Sequence, residues 1–405
     1  MDIKPSTDAL AHSRQLSNLI QTEIEKSNGW IPFSAYMALA LYAPKLGYYA
    51  AGAHKIGFSG DFITAPELSP WFGGTITQTI SPVLEYFKNT KQISQILEFG
   101  AGSGALAESI LKQLQETNEC PDHYFILEVS PDLKSRQQAR LEKFKESSGC
   151  TTQISWLDQL PNNFNGVMLA NEVIDAMPIE LIVKRDDGWH QLGVAKNPSG
   201  NNDESSSEFE LADGSLVDEK VLPDFLKEIT HQLPIGYQTE IHPQAQAWIA
   251  SLADAMNEGV FLTFDYGFPA REYYHAQRSG GTLMAHYRHH AIPDPFHLPG
   301  LSDITAHVEF TSISQTAELH GLRLVGYQSQ GGYLLNAGIG ELMLSNLDPR
   351  DAASYLPHAN AVQKLLSEAE MGELFKAIAF GKTKDENLNS ILESLPGFTG
   401  RLRSL

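Results

Sequence analysis

The chain has 405 residues, is 42% hydrophobic, and carries a formal net charge of −20 with only two cysteines. That apolar content suits a sizeable core and excludes wholesale disorder. The acidity, without any long Lys/Arg run, argues against nucleic acid as main partner. Cys120 and Cys150 lack metal spacing and allow at most one disulfide.

No run approaches the ~18 to 20 apolar residues of a membrane span. The N-terminus, MDIKPSTDALAHSRQL, has no apolar signal core and is not Arg-rich and acid-poor like a transit peptide. The expectation is a cytoplasmic protein. Residues 6–45 carry apolar positions at helical spacing, among them Leu16, Leu19 and Ile20. Residues 47–74 turn rich in Gly, Pro and aromatics, which reads as an ordered irregular segment. A helical pattern resumes over 75–87.

Strand and helix patterns then alternate. QILEFG (95–100), YFILEVS (124–130), QISWLD (153–158) and GVMLANE (166–172) read as strands, with amphipathic helices after the first two. This alternation predicts a parallel sheet covered on both faces. Residues 179–240 break the rhythm: a hairpin turning at Asp187-Gly188, then a polar acidic surface insertion in the 199–219 region. GVFLTFDYG (259–267) supplies a fifth strand. ISQTAELHGLRLVGYQSQGGYLLNAGIG predicts a helix and a final antiparallel strand pair, and 341–396 reads as mostly helical.

The turn between first strand and helix is FGAGSGA. Gly100, Gly102 and Gly104 let a ligand approach the backbone at a helix start. The loose pattern alone fits a dinucleotide as well, so charge must discriminate. Glu98, two residues before Gly100, would oppose a pyrophosphate but attract the sulfonium and ammonium groups of S-adenosylmethionine (SAM). Glu128, closing the second strand, is placed to accept both ribose hydroxyls. Asp158, closing the third, is a candidate for the adenine amino group, or simply a turn acid.

Several blocks resemble the MidA family of class I SAM-dependent methyltransferases, which includes mitochondrial complex I assembly methyltransferases. They are GYY at 47–49, GDFITAPELS at 60–69, LEVSPDLKSRQ at 127–137, NEVIDAMP at 171–178, DYGF at 265–268, GGTLMAHYRHH at 280–290, LPGLSDITAHVEF at 298–310 and GELFKAI at 372–378. The resemblance implies an α/β fold: a Rossmann-like seven-stranded sheet with an N-terminal cap and helical insertions. Along the chain it gives a helical cap and lid segment (1–90) and a core (91–340) inserted at about 179–240 and 268–310. A C-terminal helical appendage (341–405) completes it. The implied activity is methylation of an arginine on a protein substrate, symmetric dimethylation in complex I assembly being the best-described case. It leaves open a small-molecule acceptor, a binding factor that uses the SAM fold, and a homodimer. GDFITAPELS would form a lid over SAM, with Asp61, Thr64 and Glu67 as polar contacts.

Asn171 and Glu172 end the fourth strand, expected beside the first, and so should face the transferable methyl group. A guanidinium stays protonated (pKa above ~12), and a carboxylate can bind two of its N–H groups as a fork. Glu172 and Asp175 are i, i+3, so one helical turn would put both on one side. On this reading Glu172 forks the guanidinium while Asp175 supports it, or caps a helix starting near Ala176. His286, His289 and His290 fit no metal-ligand spacing; no metal is expected.

Overall fold

The computed structural model describes residues 5–51, 64–198, 207–399 and 403–405. The chain divides into two compact units, each assembled from three separated stretches: Met1–Lys55, Ile174–Trp248 and Phe268–Ile313 in one, Ile56–Val173, Ile249–Gly267 and Ser314–Leu405 in the other.

The second unit holds the main sheet. Among the described residues the sheet has eight strands, one more than the seven expected. The seven along its main path are β1 (Gln95–Phe99), β2 (His123–Leu127), β3 (Gln153–Leu157), β4 (Phe164–Asn171), β5 (Met256–Phe268), β6 (Arg323–Ser329) and β7 (Phe375–Lys382). They are hydrogen-bonded in the order β6-β7-β5-β4-β1-β2-β3. β3, β2, β1, β4 and β5 are parallel, while β7 runs antiparallel to both β5 and β6. The strand order reverses between β1 and β4, which makes the carboxyl ends of those two strands the topological switch point, where doubly wound sheets bind ligands.

Why these segments are strands follows from burial. In β4 every residue from Gly166 to Asn171 is buried, the continuous apolar run that a strand covered on both faces requires. The covering helices present stripes. In α1 (Pro70–Asn89), Ile76, Ile80, Val83 and Phe87 join Leu106, Ile110 and Leu114 of α2 (Ala105–Glu116) in one core with Ile96, Val167 and Leu262. Each such side chain contributes about 1.5–3 kcal/mol when fully buried. α3 (Pro131–Ser148) starts at a Ser130 cap followed by Pro131 and ends at left-handed Gly149, the usual start and stop chemistry.

Two expectations for the C-terminal part are corrected. The 341–405 stretch is not purely helical, because FKAIAFGK forms β7 in the middle of the sheet. A short apolar run has no periodicity that separates a buried strand from a buried helix. The strand pair expected near 323–338 is also rearranged: β6 is present, but Gln330–Asn336 is a helix and the antiparallel partner of β6 is β7.

The other unit gathers stretches that looked like separate appendages. Helices Thr7–Lys26 and Phe33–Tyr42 are joined by sheet strands Ile31–Pro32, Glu180–Arg185, Gly188–Lys196, Phe209–Leu216 and Gln238–Ile241. A second small sheet comprises Met284–Tyr287, His290–Ile292 and Asp303–Thr305. Ile182, Trp189, Leu226, Tyr237 and Tyr273 lie in its core. The expected hairpin is there, but Arg185 pairs with Gly188, so its turn is Asp186-Asp187, one residue earlier than read. Phe209–Leu216, within the stretch read as a surface insertion, is a strand paired with Gly188–Lys196.

Candidate active site

At the end of β1 the chain turns through three left-handed glycines: Gly100 (φ 58°), Gly102 (φ 54°) and Gly104 (φ 84°). Other residues rarely take this conformation, and each glycine here brings the backbone round to the start of α2. The Gly100 N–H donates to Leu127 O (3.0 Å) and the Gly104 N–H to Ala101 O (2.7 Å), which fixes the turn against β2. Ser103, in the loop, donates to Glu67, and Arg140 of α3 donates to Ser103 Oγ (2.9 Å) and to Glu108. Arg140, the cation that contacts the loop through Ser103, is thus already engaged by acids and a hydroxyl. That arrangement suits a cationic ligand and not a pyrophosphate.

Glu98 is 2% exposed, with Oε2 accepting from the Tyr124 hydroxyl at 2.6 Å. Burial pushes its carboxyl up to about 7; the Tyr124 bond opposes this and the charge of Glu128 adds to it. A nearby positive charge favours the ionised form, so this acid too fits a sulfonium and ammonium ligand. Because the folded state keeps a proton that the unfolded chain releases above about pH 4.5, the stability Glu98 contributes is lost as pH rises toward 7. Glu98→Gln cannot ionise. Its unfolding free energy should therefore fall less between pH 5 and pH 8 than the wild type's, by on the order of 1–3 kcal/mol. Urea titrations at the two pH values measure this, and parallel losses would rule it out.

Glu128 follows β2, with Oε1 accepting from the Ser130 N–H (2.9 Å) and Oε2 from Gln137 Nε2 (2.9 Å). Burial raises its carboxyl pKa, while these bonds hold it down. Beside it Val129 is 70% exposed, an apolar side chain left open at a strand end.

At the adjacent strand, Asn171 ends β4 and is 9% exposed; its Nδ2 donates to Glu172 Oε1 at 3.0 Å. Asn171 Oδ1 is buried with no hydrogen-bond partner among the described residues. Glu172 has φ +54°, left-handed for a residue that gains nothing from it, and its N–H donates to Phe264 O of β5 (2.8 Å). Such strain costs on the order of 1–3 kcal/mol and persists where the surroundings over-determine it, commonly at functional sites.

The remaining candidates are placed as follows. Glu67 sits in the short helix Ala65–Leu68 and contacts the glycine loop through Ser103. Thr64 occupies the N-cap position of that helix without a side-chain cap bond. Asp61 lies outside the described residues. Asp158 is on the surface, its side chain 90% exposed and paired with Lys134 at 3.1 Å. Asp175 belongs to the other unit, is 3% exposed, and its carbonyl accepts from the Ala306 N–H (3.1 Å). No helix lies between Asn171 and Glu180, so Asp175 neither caps one nor shares a helical face with Glu172. Its charge, after burial, Asp303 and Tyr42, helps push the Tyr49 hydroxyl well above its usual range. His286 lies in Met284–Tyr287, and Arg288 and His289, both left-handed, turn that strand into His290–Ile292. Among the described residues no cluster of His, Cys, Asp and Glu could hold a metal ion.

Sequence reasoning missed Tyr124, Gln137, Trp156 and Arg140, which hold the acids and the loop in place. Their one visible signal is a glutamine on the buried stripe Gln137, Leu141, Phe144 of α3.

A mostly parallel sheet with a glycine turn and buried acids at its switch point defines a nucleoside-binding doubly wound α/β enzyme. A family model described as "Putative S-adenosyl-L-methionine-dependent methyltransferase" matches residues 75–328, and the chain belongs to that family. It is a SAM-dependent methyltransferase, as the MidA resemblance implied. It is 42% identical to a superfamily member from Burkholderia thailandensis solved with S-adenosyl-homocysteine bound, with a TM-score of 0.88 over 99% of this chain and 98% of that one. It is 28% identical to the Drosophila melanogaster protein arginine methyltransferase NDUFAF7 homolog, mitochondrial, covering 87% of this chain and 82% of that protein. The human protein arginine methyltransferase NDUFAF7, mitochondrial, is 27% identical, with 87% and 80% covered. These mitochondrial relatives overturn the expected cytoplasmic location, which rested only on the lack of a targeting signature. No helix among the described residues is long and apolar enough to cross a membrane.

Proposed function

We propose that this methyltransferase modifies arginine side chains of a protein substrate, with Glu172 as the carboxylate that receives the guanidinium. The observation that carries this reading is the Asn171–Glu172 pair: a carboxylate held by an amide donor, at strained backbone, at the end of the strand next to the glycine turn. The relatives named as protein arginine methyltransferases support the same acceptor.

On this reading Gly100, Gly102 and Gly104 admit the cofactor to the backbone, Glu98 and Glu128 hold its cationic and ribose parts, and Glu67 supports the loop. The bound cofactor supplies an electrophilic methyl group on a sulfonium. The protein must then align an acceptor nitrogen that stays protonated at neutral pH. A carboxylate forked to two N–H groups would orient the guanidinium, offset its positive charge and accept the proton that the nitrogen gives up when it gains the methyl group, the sulfonium's S–CH3 bond breaking to leave a neutral thioether. Asn171 keeps one Glu172 oxygen in place, so less orientation is left to chance when substrate arrives. Symmetric dimethylation in complex I assembly is the finer form of this proposal and rests on the MidA resemblance.

Incubating the enzyme with methyl-labelled SAM and a protein extract, then digesting and analysing peptides by mass spectrometry, tests it. Labelled arginine is expected, with symmetric dimethylarginine as the end product. Label confined to small molecules, or to residues other than arginine, overturns the acceptor assignment.

A further inference from the structure

We propose that Gln137 is a positioning residue that sets both the ribose-binding carboxylate and the glycine turn for the cofactor. This rests on the reading of Glu128 as the ribose acceptor. Gln137 is fully buried on α3, on the stripe that otherwise carries Leu141 and Phe144. Its Nε2 donates to Gly102 O in the turn (2.9 Å) and to Glu128 Oε2 after β2 (2.9 Å), while its Oε1 accepts from Trp156 Nε1 on β3 (2.9 Å). One side chain therefore ties the segments that follow β1 and β2 to β3.

The amide can make this arrangement in one orientation only. An indole N–H is a donor and nothing else, so Trp156 requires the amide oxygen on its side. A carbonyl and a carboxylate accept and do not donate, so the two N–H groups must face Gly102 and Glu128. Each bond thus enforces the others, and the orientation of the amide follows from the chemistry of its three partners. Glu128 Oε1 is held independently by the Ser130 N–H, so the carboxylate is fixed at both oxygens, each of which keeps a lone pair for a hydroxyl. Gln137 is the end of LEVSPDLKSRQ, the block that also carries Glu128. Placing the two nine residues apart across a capped helix start lets α3 deliver the amide to the acid.

The test is calorimetric titration with S-adenosyl-homocysteine, from pH 5 to 8, of wild type, Gln137→Met and Glu128→Gln. Methionine keeps the length and removes the polar atoms. Gln137→Met is expected to weaken binding about tenfold, as for loss of one hydrogen bond to a charged group. It should also move the acid limb of the affinity profile to higher pH, because Glu128 loses a bond that favours its ionised form. A residue that only fills space would leave that limb where it is. Glu128→Gln should weaken binding and remove Glu128's share of the limb, leaving the share of Glu98, whose carboxyl lies at about 7; wild-type affinity and limb in this variant would instead overturn the Glu128 reading. If Glu128→Gln behaves as expected and Gln137→Met matches wild type in affinity and limb, the positioning role of Gln137 is wrong. Should Gln137→Met fail to fold, Trp156→Phe removes the bond that orients the amide. A weaker affinity with a shifted limb then supports the proposal, and an unchanged profile overturns it.

Discussion

Glu172→Gln should bind S-adenosyl-homocysteine as the wild type does and lose methyl transfer by about 10²- to 10³-fold, the usual effect of removing one preorganised polar group from a reacting centre. The substitution keeps size and shape, and an oxygen at the same position can still accept from Asn171 Nδ2. What disappears is the negative charge. A neutral amide cannot fork a guanidinium with two charge-assisted bonds, nor accept its proton, so transition-state charge goes unmatched while the folded backbone is undisturbed. Because the change affects the acceptor and not the cofactor's ribose or glycine contacts, kcat should fall while the affinity for S-adenosyl-homocysteine holds. Steady-state kinetics with the labelled arginine substrate, beside calorimetry on the same preparation, separates the two. Unchanged kcat would remove Glu172 from the chemistry and leave its strained backbone without a functional account.

How much of this was readable from sequence depended on whether the information was local. The parallel strands were legible because a strand buried on both faces must be a short continuous apolar run, and GVMLA and VFLTF are such runs. The acids were legible because a carboxylate closing an apolar run has few reasons to be there. β7 was not, since eight residues with no period fit helix or strand until a neighbouring β5 and β6 decide. The unit formed by the N-terminal helices and the later hairpins was equally hidden, because its pairings join residues far apart, such as Ile31 with Val194.

Within the site, spacing misled where it presumed a helix. Glu172 and Asp175 are three apart, but the chain between Asn171 and Glu180 contains no helix, so the shared face does not exist. Asp158 showed the opposite failure: the strand end was read correctly, yet its side chain turned to solvent and Lys134. A backbone angle such as φ +54° at Glu172 has no sequence signature in a glutamate, unlike the glycines at 100, 102 and 104. Positioning residues are the hardest to find, because Gln137 matters through three partners that lie 35, 9 and 19 residues away.

Gly259→Ala should destabilise the sheet unit by several kcal/mol, although the position is far along β4 and β5 from Glu172. Gly259 pairs with Gly166 across the two strands, and both have φ near +140° (140° and 144°). A Cβ at 259 would lie 1.8 Å from Gly166 O, and one at 166 would lie 2.3 Å from Gln95 O. These are backbone atoms, so no side-chain rotation relieves the clash. Adding about 1–3 kcal/mol for the strained conformation to about 1–3 kcal/mol for overpacking gives roughly 2–6 kcal/mol. Urea denaturation of the variant should show an earlier midpoint at unchanged slope. Gly340→Ala is the control: a Cβ there meets nothing within 4 Å, and it lies in the helix Ile339–Asn346, where alanine is favoured by about 0.5–1 kcal/mol. The consequence for function runs through register. The irregularity between Met256 and Glu258 and the paired glycines fix which residues face each other, ending with Asn171 opposite Phe264 and the Glu172 N–H on Phe264 O. A one-residue slip would turn every side chain of β4 to the other face. The glycine pair therefore specifies, from the far end of the strand, where the carboxylate arrives. Any Gly259→Ala protein that remains folded should transfer methyl groups more slowly than its folded fraction accounts for. Wild-type stability with wild-type turnover in this variant would show that the strands tolerate separation at the glycines, and that the register of Glu172 is set elsewhere.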